Sequence, residues 1–124
     1  MRILLVEDCS EMRRFYFELL VEYGYEVSLA RDGIEALHLI EDSREGWDVL
    51  ISDFHMPRMD GVELISETFA RNFFFRRIIL FSSTLLEVPD FSCLQGHLSK
   101  DSKLCFVHKD EGVPKLHSLL SEIA

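Results

Sequence analysis

Several features that mark particular protein classes are scarce or absent in this 124-residue sequence. It contains only three cysteines, and none of them forms a CxxC pair. An odd number of cysteines without paired spacing argues against a disulfide framework or a zinc site and favours reduced thiols in a cytosol. No apolar run approaches the roughly 20 residues of a membrane helix, and Met1 leads into a strand-like segment instead of a signal peptide. We therefore expect a cytoplasmic protein that does not enter the membrane.

Positive charge is also scarce. The 13 lysine and arginine residues are outnumbered by 22 acidic residues, which gives a formal net charge of −9. Neutralising nucleic acid phosphates requires clustered lysine and arginine, and the pairs Arg13-Arg14 and Arg76-Arg77 are too small to form such a surface. We interpret these pairs as solvated ends of helices or strands, and we expect no direct binding of nucleic acid.

Apolar residues, in contrast, are plentiful. They make up 48% of the sequence, which is enough to fill the core of a single domain over residues 1–124. Five short strand-like runs are present, and four of them are continuously apolar, as in strands covered on both faces. The second run alternates and indicates an edge strand. The runs are ILLV (3–6), YEVSLA (25–30), VLIS (49–52), IILF (78–81) and LCFV (104–107).

Helical periodicity separates most of these strands. Gly24 is placed to end the first helix, and Pro114 suits the first turn of the last one. Residues 83–103 predict only a short helix, because Pro89 precedes its apolar spacing and Gly96 interrupts it. The predicted core stripes are Met12, Phe15, Leu19 and Tyr23 behind Ser10 as N-cap; Ile34, Leu37 and Ile40 behind Asp32-Gly33; Val62, Ile65 and Phe69 from Gly61 to about Asn72; Phe91, Leu94 and Leu98; and Val113, Leu116, Leu120 and Ile123.

Strands that alternate with helices predict an α/β fold, with right-handed crossovers and a doubly wound parallel sheet. Ligands of such sheets bind beyond the carboxyl ends of the strands. Polar side chains occupy this position after four of the five runs, namely Glu7, Asp8, Asp53, Ser82 and Lys109. We therefore expect these side chains to share one edge of the sheet.

Three carboxylates at one edge create an electrostatic conflict. Two like charges about 5 Å apart repel by roughly 3 kcal/mol at an effective dielectric near 20. A hard divalent cation removes this conflict, and Mg²⁺ suits Glu7, Asp8 and Asp53 together with a backbone carbonyl. Lys109 adds a positive charge and Ser82 a hydroxyl donor. This set is typical of a phosphoryl-transfer site in which a carboxylate accepts the phosphoryl group.

The segments LLVEDCSEMRR, ISDFHMPRMDG, IILFSS and FVHK resemble the signature segments of the response-regulator receiver domain. The resemblance covers essentially the whole chain, and its most specific part is D-x-x-M-P-x-M-D-G from Asp53 to Gly61. It implies a flavodoxin-like fold with five parallel strands in the order 2-1-3-4-5. It also implies a phosphoacceptor module of two-component signalling and not an enzyme in its own right.

The resemblance assigns a role to each rim residue. Asp53 is the phosphorylated aspartate and Lys109 contacts the phosphoryl group. Asp8 binds Mg²⁺ directly, Glu7 assists it, and the backbone carbonyl of His55 completes the protein ligands. The same resemblance implies that Ser82 is the switch hydroxyl, with Ser83 as the alternative register, and that Phe106 is the switch aromatic. It also implies a histidine kinase or histidine phosphotransfer protein upstream and a protein target downstream.

The sequence departs from the family pattern near its end. Asp110 follows Lys109 where the family has a proline in a cis peptide bond, so we expect a trans or strained peptide there. The extra acid is also placed to draw Lys109 away from the phosphoryl site. The usual glycine-alanine pair before the fifth strand is missing, and the span from Ser82 to Lys109 is longer than usual.

These departures leave two other functions open. One is a pseudo-receiver, an interaction module that phosphorylation does not control. The other is a small phosphatase of the haloacid-dehalogenase type, which also uses an aspartate nucleophile and Mg²⁺. Such phosphatases need a second acid two residues after the nucleophile, and His55 stands there instead. The intact acidic set favours the phosphorylatable receiver over the pseudo-receiver, and His55 disfavours the phosphatase.

Overall fold

The computed structural model describes residues 1–82, 104–109 and 111–123 of the chain. Within them, five parallel strands form one sheet in the order β2-β1-β3-β4-β5, so the predicted doubly wound fold and its strand order are confirmed. The described helices and strands, in chain order, are β1 (Arg2–Val6), α1 (Ser10–Glu22), β2 (Glu26–Ala30), α2 (Gly33–Asp42), β3 (Val49–Asp53), α3 (Gly61–Ala70), β4 (Arg77–Ser82), β5 (Leu104–His108) and α4 (Gly112–Ser121).

Alternating side chains of the strands fill a core on each face of the sheet, as expected for buried parallel strands. The helices α2 and α3 cover one face, and α1 and α4 cover the other. The first core contains Leu4, Val6, Leu37, Ile40, Leu50, Ile65, Ile78 and Leu80; the second contains Ile3, Leu5, Tyr16, Leu20, Ile51, Ile79, Leu116 and Leu120. Among the described residues, no helix is both long and apolar enough to cross a bilayer.

The helix ends follow local sequence signals at most positions. Asp32 caps α2 by accepting the Glu35 N–H, and Asp60 forms a capping box with Glu63 at α3. Gly24 follows α1 with φ +91°, a conformation in which glycine is favoured. The prediction of Ser10 as N-cap is wrong by one residue, because Cys9 occupies that position and makes no side-chain cap.

The predicted core stripe of α1 is wrong at Phe15 and Tyr23, whereas Met12 packs against the core as predicted. Tyr16 and Leu20 are the buried residues of this helix, whereas 51% of Phe15 and 36% of Tyr23 remain exposed. Three consecutive aromatic residues, 15–17, place apolar groups around much of the helix, so periodicity alone does not select the face that packs.

The prediction that the fifth strand is covered on both faces is wrong. Among the described strands, β5 lies at the end of the sheet order and pairs with β4. Val107 is its one buried residue, and 40% of Phe106 is exposed. Two other predictions, the short helix within residues 83–103 and the Lys109–Asp110 peptide, lie outside the described residues.

Candidate functional site

Strand register brings the predicted site residues to one edge of the sheet. Val6 pairs with Ser52, so Glu7 and Asp53 leave their strands at the same level. Asp53 pairs with Phe81 on its other side. β5 ends at His108, opposite Ser82, and Lys109 follows directly. The carboxyl ends of four strands therefore surround one small region.

Within this region, the three predicted carboxylates form a compact cluster. Glu7, Asp8 and Asp53 each offer an oxygen atom, and these atoms lie within 4.8 Å of one another. Glu7 and Asp53 are buried, at 2% and 7% exposure, while Asp8 is exposed. The cluster is thus open to solvent on the side of Asp8 and closed on the side of the sheet.

Lys109 supplies the positive charge of the site. Its Nζ atom lies 3.4 Å from Asp53 Oδ1 and 3.6 Å from Glu7 Oε2. The expectation that Asp110 draws the lysine away is therefore wrong, because Lys109 contacts both buried carboxylates. One cation among three acids still leaves an excess of negative charge.

The pKa values of these groups reflect both burial and crowding. Burial, followed by the nearby Asp53 carboxylate, raises the pKa of Glu7 to about 7, and Lys109 only partly offsets this rise. Burial also raises the pKa of Asp53, against the opposing effect of Lys109. For Lys109, burial would lower the pKa, but the Asp53 and Glu7 carboxylates outweigh it and raise the pKa.

Hydrogen bonds from the flanking backbone orient the two buried acids. The Cys9 N–H donates to Glu7 Oε1 at 3.2 Å, and the Phe54 N–H donates to Asp53 Oδ1 at 2.9 Å. Arg13 also takes part, since its Nη1 donates to the Glu7 carbonyl at 3.0 Å. The interpretation of Arg13 as a solvated helix end therefore missed this contact, although its place in the first turn after the acids was a usable signal.

The loop of residues 54–60 connects Asp53 to α3. The Gly61 N–H donates to the Phe54 carbonyl at 2.9 Å and closes the loop at its base. Gly61 approaches the Asp53 carbonyl so closely that a Cβ atom would collide with it, which explains the glycine at this position. His55 lies exposed in this loop, two residues beyond the buried acid.

The structure places the predicted switch residues on neighbouring strands. Ser82 ends β4 one residue after the register partner of Asp53, while its side chain lies outside the part of the chain that the structure describes. Phe106 lies on β5 opposite Leu80 and is partly exposed. Ser82 thus lies on the strand next to Asp53, whereas Phe106 lies two strands away from it, one residue before the level of Asp53.

The donor set fits a hard divalent cation. Carboxylate oxygens are preferred ligands of Mg²⁺, and this ion characteristically keeps several waters, which solvent supplies on the side of Asp8. An added cation also offsets the burial and the repulsion that together raise the pKa of Glu7 and Asp53. The chemistry of the cluster therefore suits magnesium, with Lys109 as a second, fixed positive charge.

Comparison with known sequences finds one family that covers most of the chain. Residues 3–89 match the response regulator receiver domain family. Response regulator MprA of Mycobacterium avium is 45% identical over 64 residues, which are 52% of this chain and 27% of that protein. Protein-glutamate methylesterase/protein-glutamine glutaminase 3 of Rhodospirillum rubrum is 33% identical over 94% of this chain and 30% of its own length. The chain thus spans less than a third of these curated relatives.

Solved structures show the same architecture. Chemotaxis protein CheY4 of Vibrio cholerae superposes with a TM-score of 0.76 at 27% identity, over 99% of this chain and 98% of that one. Response regulator TrrA of Thermotoga maritima, in complex with Mg²⁺ and BeF, gives a TM-score of 0.75 at 27% identity over the same shares.

Proposed function

The chain belongs to the response regulator receiver domain family of two-component systems, and on this premise we propose that it is a phosphoacceptor whose Asp53 carries the phosphoryl group. In this proposal residues 1–124 act as one receiver domain. Phosphorylation changes its affinity for a protein target, and the phosphoryl donor is a histidine kinase or a histidine phosphotransfer protein.

One observation carries this proposal most strongly: Lys109 Nζ lies 3.4 Å from the carboxylate of Asp53. A buried carboxylate next to a lysine and two further acids is costly for a domain that only needs to fold. The same arrangement is useful for phosphoryl transfer, where positive charge must face the oxygens of the transferring group.

The proposed step is an in-line transfer between two side chains. A carboxylate oxygen of Asp53 forms a bond to phosphorus while the bond from phosphorus to the donor's imidazole nitrogen breaks. The electron pair of the broken bond stays on that nitrogen, which is protonated by solvent. Lys109 then faces the new anionic oxygens, and the Phe54 N–H holds the Asp53 carboxylate in place.

Magnesium is the cofactor that the donor set suits. Glu7, Asp8 and Asp53 would hold it through their carboxylates, and His55 through its backbone carbonyl. When bound, the ion supplies positive charge to the phosphoryl oxygens. The residues of the chain provide the rest: the sheet fixes the nucleophile, and burial keeps water from one side of it.

The proposed output uses the neighbouring strand ends. Ser82 would bind the new anion through its hydroxyl, and Phe106 on the edge strand would change position with it. Because Phe106 is 40% exposed, a change in its position alters surface that a protein partner can contact. The alternative is an interaction module that phosphorylation does not control, and Asp110 in place of the family proline is the feature that favours it.

Phosphorylation of the purified chain by acetyl phosphate tests this proposal. With Mg²⁺, the intact mass should increase by one phosphoryl group, and chelation of Mg²⁺ should prevent the increase. Asp53→Asn should abolish it, whereas Asp42→Asn, which changes an exposed acid at the end of α2, should behave as the wild type. Labelling that persists in Asp53→Asn contradicts the assignment, and absence of labelling in the wild type favours the pseudo-receiver.

A further inference from the structure

The loop of residues 54–60 contains a backbone conformation that its sequence does not favour. Arg58 has φ +68°, in the region that disfavours residues with a side chain. The Met59 N–H donates to the Pro57 carbonyl across it at 2.8 Å. A hydrogen bond that spans one residue with such a φ is a γ-turn of the rare, strained class. Conformations of this kind persist only where their surroundings hold them.

Two adjacent contacts with the start of α2 hold this γ-turn. Arg58 Nε donates to Asp32 Oδ2 at 3.0 Å, and Nη2 of the same guanidinium donates to the same oxygen. Met59 packs on Gly33, where a Cβ atom would lie only 2.8 Å from Met59 Cγ. Arg58 and Met59 of the loop therefore contact Asp32 and Gly33, two consecutive residues at the start of α2.

Asp32 is well prepared for this contact. It is only 8% exposed, and its Oδ1 already accepts the Glu35 N–H at 2.9 Å as the cap of α2. Its two oxygens thus serve two different elements. Burial would raise the pKa of Asp32, but the Glu35 N–H and the Arg58 guanidinium outweigh it and lower the pKa.

The opposite end of the same loop lies at the carboxylate cluster. The Phe54 N–H donates to Asp53, and the Phe54 carbonyl accepts the Gly61 N–H. His55 lies between this fixed base and the γ-turn. The loop is therefore held at its base by Gly61 and at its tip by Asp32, with the proposed carbonyl ligand between them.

We infer that the Arg58–Asp32 ion pair is a positioning device that holds residues 54–60, and with them the His55 carbonyl, in the arrangement that binds Mg²⁺. This inference rests on the proposed metal site. Arg58 is a positioning residue in it, because it acts on the site through the loop backbone. Asp32 is the anchor on the neighbouring helix.

Calorimetric titration of the metal-free protein with Mg²⁺ tests this inference, because electrostatics and positioning predict opposite results. Arg58→Met removes a positive charge near a cation site, and by Coulomb's law alone this strengthens Mg²⁺ binding. Loss of the positioning contact weakens it instead. We expect Kd to rise about tenfold, at the low end of what outer-shell partners of metal ligands contribute, and Arg58→Lys to fall between this variant and the wild type.

The matched control is Arg31→Met. Arg31 forms an exposed ion pair with Glu35 at 3.1 Å and lies one residue from Asp32, so its loss changes the same charge without touching the loop. We expect its Kd for Mg²⁺ to equal or fall slightly below that of the wild type. In the metal-free state, amide exchange of Gly61 should be faster in Arg58→Met but unchanged in Arg31→Met.

A double-variant cycle completes the test. Asp32→Asn keeps an oxygen that can cap α2 but loses the charge that attracts Arg58. If the two residues act as one device, combining Asp32→Asn with Arg58→Met weakens Mg²⁺ binding no further than either change alone. Fully additive losses, a Kd for Arg58→Met at or below the wild-type value, or an equal loss in Arg31→Met would each overturn the inference.

The outcome for the wild type separates this inference from the proposed function. If the wild type binds Mg²⁺ and is phosphorylated at Asp53 while Arg58→Met binds Mg²⁺ equally well, only the positioning role fails. If the wild type neither binds Mg²⁺ nor is phosphorylated, the proposed function fails and the inference fails with it. Arg58 is 59% exposed, so its substitution leaves the core unchanged, and urea unfolding of each variant verifies this.

Discussion

Charged side chains lie at both ends of the strands, but they are buried to different extents. We call the end at which the strands begin the amino edge of the sheet and the end at which they finish the carboxyl edge. At the amino edge, Arg2 lies 3.5 Å from Glu26 and 3.3 Å from Glu45, and these acids are 79% and 83% exposed. At the carboxyl edge, the side chains of Glu7 and Asp53 are only 3% and 8% exposed around Lys109. An exposed acid keeps its hydration whether or not it is paired, whereas a buried acid depends on its partners.

This difference separates charges that support the fold from charges that serve a ligand. The amino edge also uses Asp48 as a backbone partner, since its Oδ2 accepts the Arg2 N–H at 2.8 Å. At the carboxyl edge, burial and mutual repulsion raise the pKa of Glu7 to about 7. The crowded acids at the carboxyl edge therefore lower the free energy of unfolding, and added positive charge there should raise it.

Removing the cation from each edge should give the largest contrast. Lys109→Met leaves the two buried carboxylates without a cation beside them, and at pH 8 without Mg²⁺ we expect a loss of about 3 kcal/mol in the free energy of unfolding. Arg77→Met is the matched change at the amino edge. Arg77 pairs with Glu122 at 3.1 Å, and the two side chains are 13% and 56% exposed. Because Met replaces the buried stem of Arg77 and Glu122 stays hydrated, the loss of the ion pair should cost less than about 1 kcal/mol. Urea unfolding in the presence of a chelator measures both, and equal losses would contradict the contrast.

Removing one acid from the carboxyl edge should instead raise the free energy of unfolding. The pKa of Glu7 is raised from 4.5 to about 7 on folding, so the folded state holds the proton more tightly and stability falls as pH rises from about 4.5 to about 7. Glu7→Gln removes this loss. We expect the variant to be about 2 kcal/mol more stable than the wild type at pH 8 and equal to it near pH 4. Unfolding curves across this pH range test it, and a variant that is less stable at pH 8 rules it out.

Adding a divalent cation should stabilise the carboxyl edge alone. At ten times its Kd, Mg²⁺ should raise the free energy of unfolding of the wild type by about 1.4 kcal/mol. Asp8→Ala should lose most of this gain, whereas Glu45→Ala, which removes an exposed acid from the amino edge, should keep all of it. Thermal melts with and without Mg²⁺ provide the measurement. An equal gain in Asp8→Ala would place the ion elsewhere.

The sequence predicted this edge well because chain order and strand direction determine it. Once β1, β3, β4 and β5 lie parallel and in this order in one sheet, the residues that follow β1, β3 and β5 meet at one edge. The convergence of Glu7, Asp53 and Lys109 therefore followed from position alone, and the two carboxylates among them are groups that suit Mg²⁺. The strand order itself came from the family resemblance, because apolar runs do not state which strands are neighbours.

Contacts that depend on loop conformation or on the choice of a helix face could not be predicted in this way. The Arg58–Asp32 pair joins residues 26 positions apart, and Arg58 makes it from a positive φ that its sequence does not favour. The packed face of α1 was missed for a related reason. Phe15, Tyr16 and Phe17 are all aromatic, and only tertiary packing decides that Tyr16 stacks on Phe81.

The smallest expected effect tests what decides whether a buried acid raises or lowers the free energy of unfolding. We expect the local balance of charges to decide this, and not the position at the carboxyl edge. Asp32 lies at the carboxyl edge like Glu7 and is nearly as buried, yet the Glu35 N–H and Arg58 outweigh burial and lower its pKa. Its charged form is therefore stabilised in the folded state, and this contribution is present above the unfolded pKa and is lost as pH falls through the folded pKa.

Asp32→Asn should therefore lower the free energy of unfolding at pH 7. We expect a loss of only about 1 kcal/mol, because Arg58 is largely exposed and solvent screens the pair. The difference from the wild type should shrink below about pH 4, where the unfolded-state carboxyl is protonated. If Asp32→Asn instead stabilised the protein as Glu7→Gln is expected to do, the excess of acids at this edge would extend to α2, and the local balance between Asp32 and Arg58 would not hold.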